Sequence, residues 1–266
     1  MLSQAEIDFA AADLLRAEAE REQIGLLSLR YPGMTLDDAY AIQTAQIGQK
    51  LAQGREIIGW KIGLTSKVMQ EALGIDTPDS GVLYDDMDFG HGSTVPAGRF
   101  IQPRIEAEIA FVMKAPLGAG ATRAEVIAAT DYVAPALEIL DTRILRRDPE
   151  TGQPRVITDT VADNAANGGI VLGPDRHAPE AFDLRWVGAI LAKNQEVVAT
   201  GLGAAVLNDP AMGIVWLADR MGHYDQRIEP GQVVLSGSFI APIECPPGSR
   251  IAADYGAFGR VAVDFA

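Results

Sequence analysis

The chain has 266 residues, 48 % of them hydrophobic and 22 % charged, and a formal net charge of −14. That length suits one large domain, or a small one beside a larger one, with enough apolar residues for a real core. The acidic balance excludes a surface that neutralises a phosphate backbone and offers nothing to an anionic membrane, so neither nucleic acid nor membrane is an expected partner. Cys245 is the single cysteine, which excludes an intrachain disulfide and a cysteine zinc site. No run approaches the roughly 20 apolar residues that span a bilayer. The opening Met1-Leu2-Ser3-Gln4-Ala5-Glu6 lacks the basic-then-apolar layout of a signal peptide. A cytoplasmic protein is expected.

In chain order, Ser3 is placed to cap a helix in which Ile7, Ala10, Ala11, Leu14 and Leu15 recur at helical spacing. Tyr31-Pro32-Gly33 is a turn, and Thr35 caps a second helix with Asp37 and Asp38 in its first turn. Ile57–Gly63 reads as a strand, and a short helix should start at Ser66 and run to Leu73, ended by Gly74. Beyond Gly81 strands dominate: 82–84, 101–113, 132–141, 169–172, 187–193 with 197–200, 232–235, 250–255 and 260–265. Helices interrupt at Thr122–Ala129 and at Asp209–Met221, the latter with Asp209 as cap and Pro210 in the first turn. The expected class is α+β: a small α-rich segment over 1–80, packed on a large, mainly β domain over 81–266.

The chemistry starts in Pro103-Arg104-Ile105-Glu106-Ala107-Glu108-Ile109, an apolar strand with two glutamates at i and i+2. Such residues share one face. Glu138 follows about thirty residues later in Ala134-Pro135-Ala136-Leu137-Glu138-Ile139-Leu140, apolar on both sides. One reading makes Glu106 and Glu108 the wet face of an amphipathic strand. The other makes the three a site for a hard divalent cation, since buried anions repel and lose hydration unless something positive joins them. Glu138 has no obvious wet face, which favours the metal; three protein ligands would leave positions open for water and substrate.

Lys61, between Trp60 and Ile62, either snorkels to solvent or is buried and tuned for proton transfer. Asp79, in Thr77-Pro78-Asp79-Ser80-Gly81, either caps its turn or positions water near Lys61. Arg104 and Arg143 flank the glutamate strands and could bind a substrate carboxylate or screen the acids. His91, His177 and His223 lie in turn-like contexts and read as surface residues. The polar runs Asp163–Gly169 and Ser236–Phe239 suit close backbone approach to a ligand, so Asn164 and Ser238 join Arg104 as weaker substrate-binding candidates. There is no dinucleotide fingerprint, phosphate-binding loop or nucleophile elbow, so no organic cofactor is expected.

Gly59-Trp60-Lys61-Ile62-Gly63-Leu64-Thr65-Ser66, Pro103–Glu108, Asp131–Glu138 and Asp163-Asn164-Ala165-Ala166-Asn167, in this order along nearly the whole chain, resemble the hydratase/decarboxylase branch of the fumarylacetoacetate hydrolase superfamily. The stretches Arg147–Arg155 and Leu207–Ala211 favour the hydratases of that branch. The resemblance implies a mixed-β roll or barrel-like domain, assembly into homo-oligomers, Mg²⁺ or Mn²⁺ on Glu106, Glu108 and Glu138, and proton and water handling by Lys61 and Asp79. It implies a small 2-oxo acid as substrate, with hydration expected, decarboxylation second, and a non-catalytic scaffold subunit as the reading outside enzymes. Carbon–carbon hydrolases of the superfamily pair a His with a Glu, and no histidine here sits in a matching context.

Overall fold

The computed structural model describes residues 1–66, 70, 75 and 77–266. The short helix expected from Ser66 lies outside the described residues. Helix α1 (Gln4–Glu20) begins at a capping box in which Ser3 and Glu6 satisfy each other's backbone N–H groups, and α3 (Leu36–Ala52) begins at the same device built from Thr35 and Asp38. Between them lies the short α2 (Leu27–Arg30). Ala10, Ala11, Leu14 and Ala17 of α1 pack with Ala39 and Ile42 of α3, and with Val161 and Ala162 of a later helix, α5 (Ile157–Ala162).

Sequence reading misses α5 because six residues with two threonines, a valine and an isoleucine carry little helix propensity. Tertiary contacts supply what propensity does not. Asp159 accepts from the backbone N–H and hydroxyl of Ser28 at 2.8 and 2.7 Å, while Gln43 and Gln46 of α3 donate to the carbonyls of Val161 and Ala162 at 3.0 and 2.7 Å.

The strands form two sheets. The larger runs β2 (Asp79–Tyr84), β1 (Ile57–Gly63), β9 (Val233–Leu235), β4 (Arg104–Met113), β5 (Thr130–Leu140) and β6 (Asn167–Leu172), with β10 (Ile243–Glu244) added to β4. Only β1 and β9 run parallel in it. The second sheet runs β3 (Thr94–Val95), β12 (Arg260–Phe265), β11 (Arg250–Asp254), β7 (Gly188–Lys193) and β8 (Glu196–Leu202). The division expected after residue 80 runs through β2, and β1 before it lies in the same sheet; the helical layer is residues 4–52 joined by α5.

One face of the larger sheet carries Trp60, Ile62, Val82, Ile105, Ile109, Phe111, Leu137 and Val234 into the main core. There they meet Leu191, Ile251 and Val263 of the second sheet, and Ile214 and Leu217 of α6 (Pro210–Gly222). Helix α4 (Arg123–Ala129), capped by Thr122, adds Val126 and Ala129. The opposite face has a small apolar cluster of Leu83, Ala110, Ala136, Ile170 and Leu235.

The free edge of β2 is closed by a turn rather than a strand. Asn164 accepts from the Val82 N–H at 2.8 Å and donates to its carbonyl at 3.0 Å, and Asn167 donates to the same carbonyl at 2.9 Å. Asn164, Ala165 and Ala166 are all left-handed, with φ of 49°, 51° and 59°, a conformation that costs roughly 1–2 kcal/mol per non-glycine residue. Arg143 holds this turn: its backbone N–H and side chain both bind the Asp163 carboxylate, and its guanidinium also donates to the carbonyls of Asp163 and Asn167 at 2.6 and 2.9 Å. Asp163→Ala therefore leaves a buried guanidinium unpaired and releases the turn. Chemical denaturation should show a loss of about 3–5 kcal/mol; a loss below 1 kcal/mol would contradict this role.

Candidate metal centre and active site

Cross-strand register brings the candidate residues onto one face. Glu106 of β4 pairs directly with Glu138 of β5, and Glu108 with Ala136. Ala110, two residues on, pairs with Leu235 of β9, which in turn pairs with Lys61 of β1. Lys61 pairs with Gly81 of β2, and Gly63 with Asp79. Since directly paired residues lie on the same side and alternate residues repeat it, Asp79, Lys61, Glu106, Glu108 and Glu138 all point away from the main core.

That face is dry. Glu108 and Glu138 are 0 % exposed, Asp79 is 1 % and Lys61 is 3 %; Glu106 is half-buried at the margin. The strand alternation that makes Ile105, Ala107 and Ile109 face inward is present, but the other side is not solvent. Lys61 does not snorkel.

Oxygens of Glu106, Glu108 and Glu138 lie within 4.8 Å of one another. The Lys61 ammonium stands 3.2 Å from Glu138 Oε1, yet the approach is not aligned as a hydrogen bond, and neither Glu138 oxygen has a hydrogen-bond partner among the described residues. Glu108 Oε1 and Asp79 Oδ1 are likewise without one. Glu108 Oε2 accepts the Gly237 N–H at 2.8 Å. Gly237 has a φ of 116°, and a Cβ there would fall 2.3 Å from Thr65 Oγ1, so only glycine brings this N–H to the carboxyl. Tyr255 pins the strand pair beneath: its hydroxyl accepts from the Glu108 N–H at 3.1 Å and donates to the Ala136 carbonyl at 2.7 Å.

Electrostatics follow from this crowding. Burial, then the charge of Glu138, pushes Glu106 up to about 8 despite Lys61. Burial and the neighbouring acids push Glu108 well above the usual carboxylate range, and burial raises Glu138 and Asp79 against the pull of Lys61. For Lys61, burial disfavours the ammonium, but Glu138, Asp79, Glu106 and Glu108 outweigh it and hold the group above its ordinary value. This is opposite in sign to what burial alone does to a lysine. A set of oxygen-only donors, with buried oxygens lacking partners and one ammonium among four carboxyls, fits a hard divalent cation.

Gly63 makes room for the Lys61–Asp79 pair. A Cβ on Gly63 would sit 2.2 Å from Asp79 Oδ1 and 3.0 Å from Lys61 Nζ. The weaker candidates are placed differently. Arg104 stands two residues from Glu106 on the same strand face, its guanidinium 2.9 Å from Glu244 and its buried Nε without a partner among the described residues. Asn164 spends its amide on Val82. Ser238 donates to the Ile240 carbonyl at 2.8 Å. Arg143 neither binds substrate nor screens the glutamates, because Asp163 and two carbonyls occupy it. His177 Nε2 lies 3.0 Å from the Phe258 carbonyl, and His91 Nδ1 accepts from the Ala262 N–H at 3.2 Å. Sequence reading misses the Gly237 N–H and the space at Gly63, since a glycine in a strand or turn looks the same whether or not a carboxyl leans on it.

No family model matches the chain. It is 48 % identical to the 2-oxo-hept-4-ene-1,7-dioate hydratase of Escherichia coli over 256 residues, 96 % of each chain. To the 2-keto-4-pentenoate hydratase of Paraburkholderia xenovorans it is 40 % identical over 257 residues, 96 % of this chain and 93 % of that one. Its fold matches the solved 4-oxalocrotonate decarboxylase of Pseudomonas putida G7, complexed with magnesium and adipate, at a TM-score of 0.94 and 34 % identity, covering 100 % of this chain and 99 % of that one. The chain belongs to the hydratase/decarboxylase branch of the fumarylacetoacetate hydrolase superfamily.

Proposed function

We propose that the protein is a divalent-metal-dependent hydro-lyase that hydrates 2-oxo-hept-4-ene-1,7-dioate, taken in its 2-hydroxydienoate form, to 4-hydroxy-2-oxoheptanedioate in the breakdown of homoprotocatechuate. The observation that carries this is the dry face on which partnerless carboxyl oxygens adjoin a buried Lys61 and Asp79, in a chain so similar to a hydratase of that name. Mg²⁺ or Mn²⁺ is the ion we assign, with Glu106, Glu108 and Glu138 as its holders. When bound, such an ion supplies Lewis-acid polarisation of a 2-oxo acid.

Hydration moves four groups: the 2-hydroxyl proton leaves, a proton arrives at C5, water oxygen adds at C4, and a proton arrives at C3. Lys61 is the donor to carbon, because the acids around it keep it charged and loaded. Asp79, buried with Oδ1 free of partners among the described residues, orients the water and takes its proton. The proton from the 2-hydroxyl recharges Lys61 after its first donation, and the proton that Asp79 takes from water passes back to Lys61 after the second. Two protons thus leave the reactants, two enter the product and both groups are restored. Arg104, at the margin beside Glu106, steers the incoming carboxylate, while Asn164 and Ser238 shape the backbone around the site. The active assembly is a homo-oligomer: Trp186 (74 % exposed), Ile190, Val197 and Leu202 leave an apolar surface on and beside the β7–β8 hairpin. No described helix is long and apolar enough to cross a membrane, and we place the enzyme in the cytoplasm.

The likeness to a decarboxylase makes loss of CO₂ the second reading, and 2-oxopent-4-enoate is the shorter alternative substrate. With Mg²⁺, the wild type should bleach the ultraviolet absorbance of the diacid dienoate without releasing CO₂. Lys61→Ala should lower that rate about 10²- to 10⁴-fold while keeping the Mg²⁺-induced rise in melting temperature. A full rate in Lys61→Ala with metal binding intact removes Lys61 from the chemistry, and CO₂ release in step with substrate loss overturns hydration. Light scattering should give a mass of several chains, reduced when Ile190 and Val197 are both changed to Glu; a single-chain mass for the wild type overturns the assembly.

A further inference from the structure

Read along the sheet, the site is polarised. The glutamates stand at one end on β4 and β5, Lys61 follows on β1, and Asp79 on β2. Past Asp79 comes the helical layer, where Gln43 of α3 donates to the Ser80 carbonyl at 2.9 Å. Tyr40 is one turn earlier on the same helix, buried. Arg220 of α6 reaches across to it, with Cζ 3.4 Å from the Tyr40 ring centroid and 5.0 Å from that of Tyr224. This stacking holds the guanidinium plane without using its hydrogen-bonding edge, and Arg220 Nε is buried with no partner among the described residues.

Arg155 lies two residues before α5, the helix whose Val161 carbonyl shares the Gln43 amide with the Ser80 carbonyl. Its Nη1 is buried and also without a partner among the described residues. Asp163, the acid whose charge acts on it most, has both oxygens committed to Arg143. Burial pushes Asp79 up, and after Lys61 it is Arg155, then more weakly Arg220, that pulls it back. Two guanidinium groups, each with a buried N–H that has no partner among the described residues, thus belong to the elements packed at the Asp79 end, Arg220 on the Tyr40 ring of α3 and Arg155 ahead of α5. A shielded guanidinium with unused N–H groups calls for an anion, and a carboxylate matches its fork.

We infer that Arg155 and Arg220, positioned beside Tyr40, form the subsite that receives the far carboxylate of a dicarboxylic 2-oxo acid. The inference rests on the reading of the site as a 2-oxo acid hydratase and adds which residues select a diacid over a monoacid. Substrate then lies along the sheet, its 2-oxo end at the glutamates, its alkene over Lys61 and Asp79, and its second carboxylate at the arginines. Arg104 is not the distal group, because it flanks Glu106 at the other end.

The test uses the Mg²⁺-loaded protein and two readouts. Calorimetry compares adipate with hexanoate, and kinetics compares the seven-carbon diacid with 2-hydroxypenta-2,4-dienoate. Arg155→Gln should lower the adipate-to-hexanoate affinity ratio roughly 10- to 100-fold, the size of a charged hydrogen bond. The diacid-to-monoacid ratio of kcat/KM should fall by a similar factor, through KM of the diacid. Arg220→Gln should act in the same direction. Should Arg155→Gln fail to fold, Arg155→Lys, which keeps the charge and loses the fork, and Arg220→Gln are read by the same two ratios. If folded variants leave both ratios as in the wild type, or weaken diacid and monoacid alike, the subsite is overturned. If the wild type turns over neither substrate yet prefers adipate, and Arg155→Gln loses that preference, the subsite stands and the hydratase reading falls.

Discussion

Negative charge confined to a dry sheet face is the constraint on which the rest of this structure turns. Glu108 and Glu138 are wholly shielded, Glu106 closes the margin, and Asp79 sits on the strand next to that of Lys61, on the same face. One ammonium cannot balance four carboxyls, and removing an ionised carboxyl from water costs several kcal/mol even after relaxation. The chain meets this partly by raising the proton affinity of Glu106 and Glu108 and partly by aiming Lys61 at Glu138. Both are incomplete, since the Glu138 oxygens and Glu108 Oε1 still lack hydrogen bonds among the described residues. An arrangement so poorly satisfied is costly for stability and makes sense as a place prepared for a cation.

Much of the surrounding structure keeps that face in shape. Gly63 and Gly237 are glycines because a Cβ would strike Asp79 in one case and Thr65 in the other. The left-handed Asn164–Ala166 turn seals the edge of β2, and Arg143 with Asp163 holds it there. The helical layer is therefore part of the site and not a cover added to it, for it fixes the strand that carries Asp79. Tyr40 of the same layer stacks on Arg220 of α6, and Arg155 stands just ahead of α5, so the proposed subsite would give a long substrate a second anchor of opposite chemistry.

What could be read from the sequence is what strand periodicity and caps encode. The i, i+2 spacing of Glu106 and Glu108 puts them on one face, and Glu138 among apolar neighbours indicates that the face is not wet. Ser3, Thr35, Thr122 and Asp209 mark four helix starts because each supplies an oxygen to an otherwise unpaired N–H. Register was not legible: nothing local says that Glu106 faces Glu138, or that β9 lies between β1 and β4. The helix Ile157–Ala162 was invisible because its support comes from Ser28, Gln43 and Gln46, more than a hundred residues away in sequence. The sign of the Lys61 perturbation was also out of reach, since it depends on how many carboxyls converge on that ammonium.

The most direct test of the account is where a metal binds. Crystals grown with Mn²⁺ and measured at its absorption edge should show an anomalous peak bonded to carboxyl oxygens of Glu106, Glu108 and Glu138. Peaks only at surface acids, with the three glutamates holding no ion at saturating Mn²⁺, would contradict it.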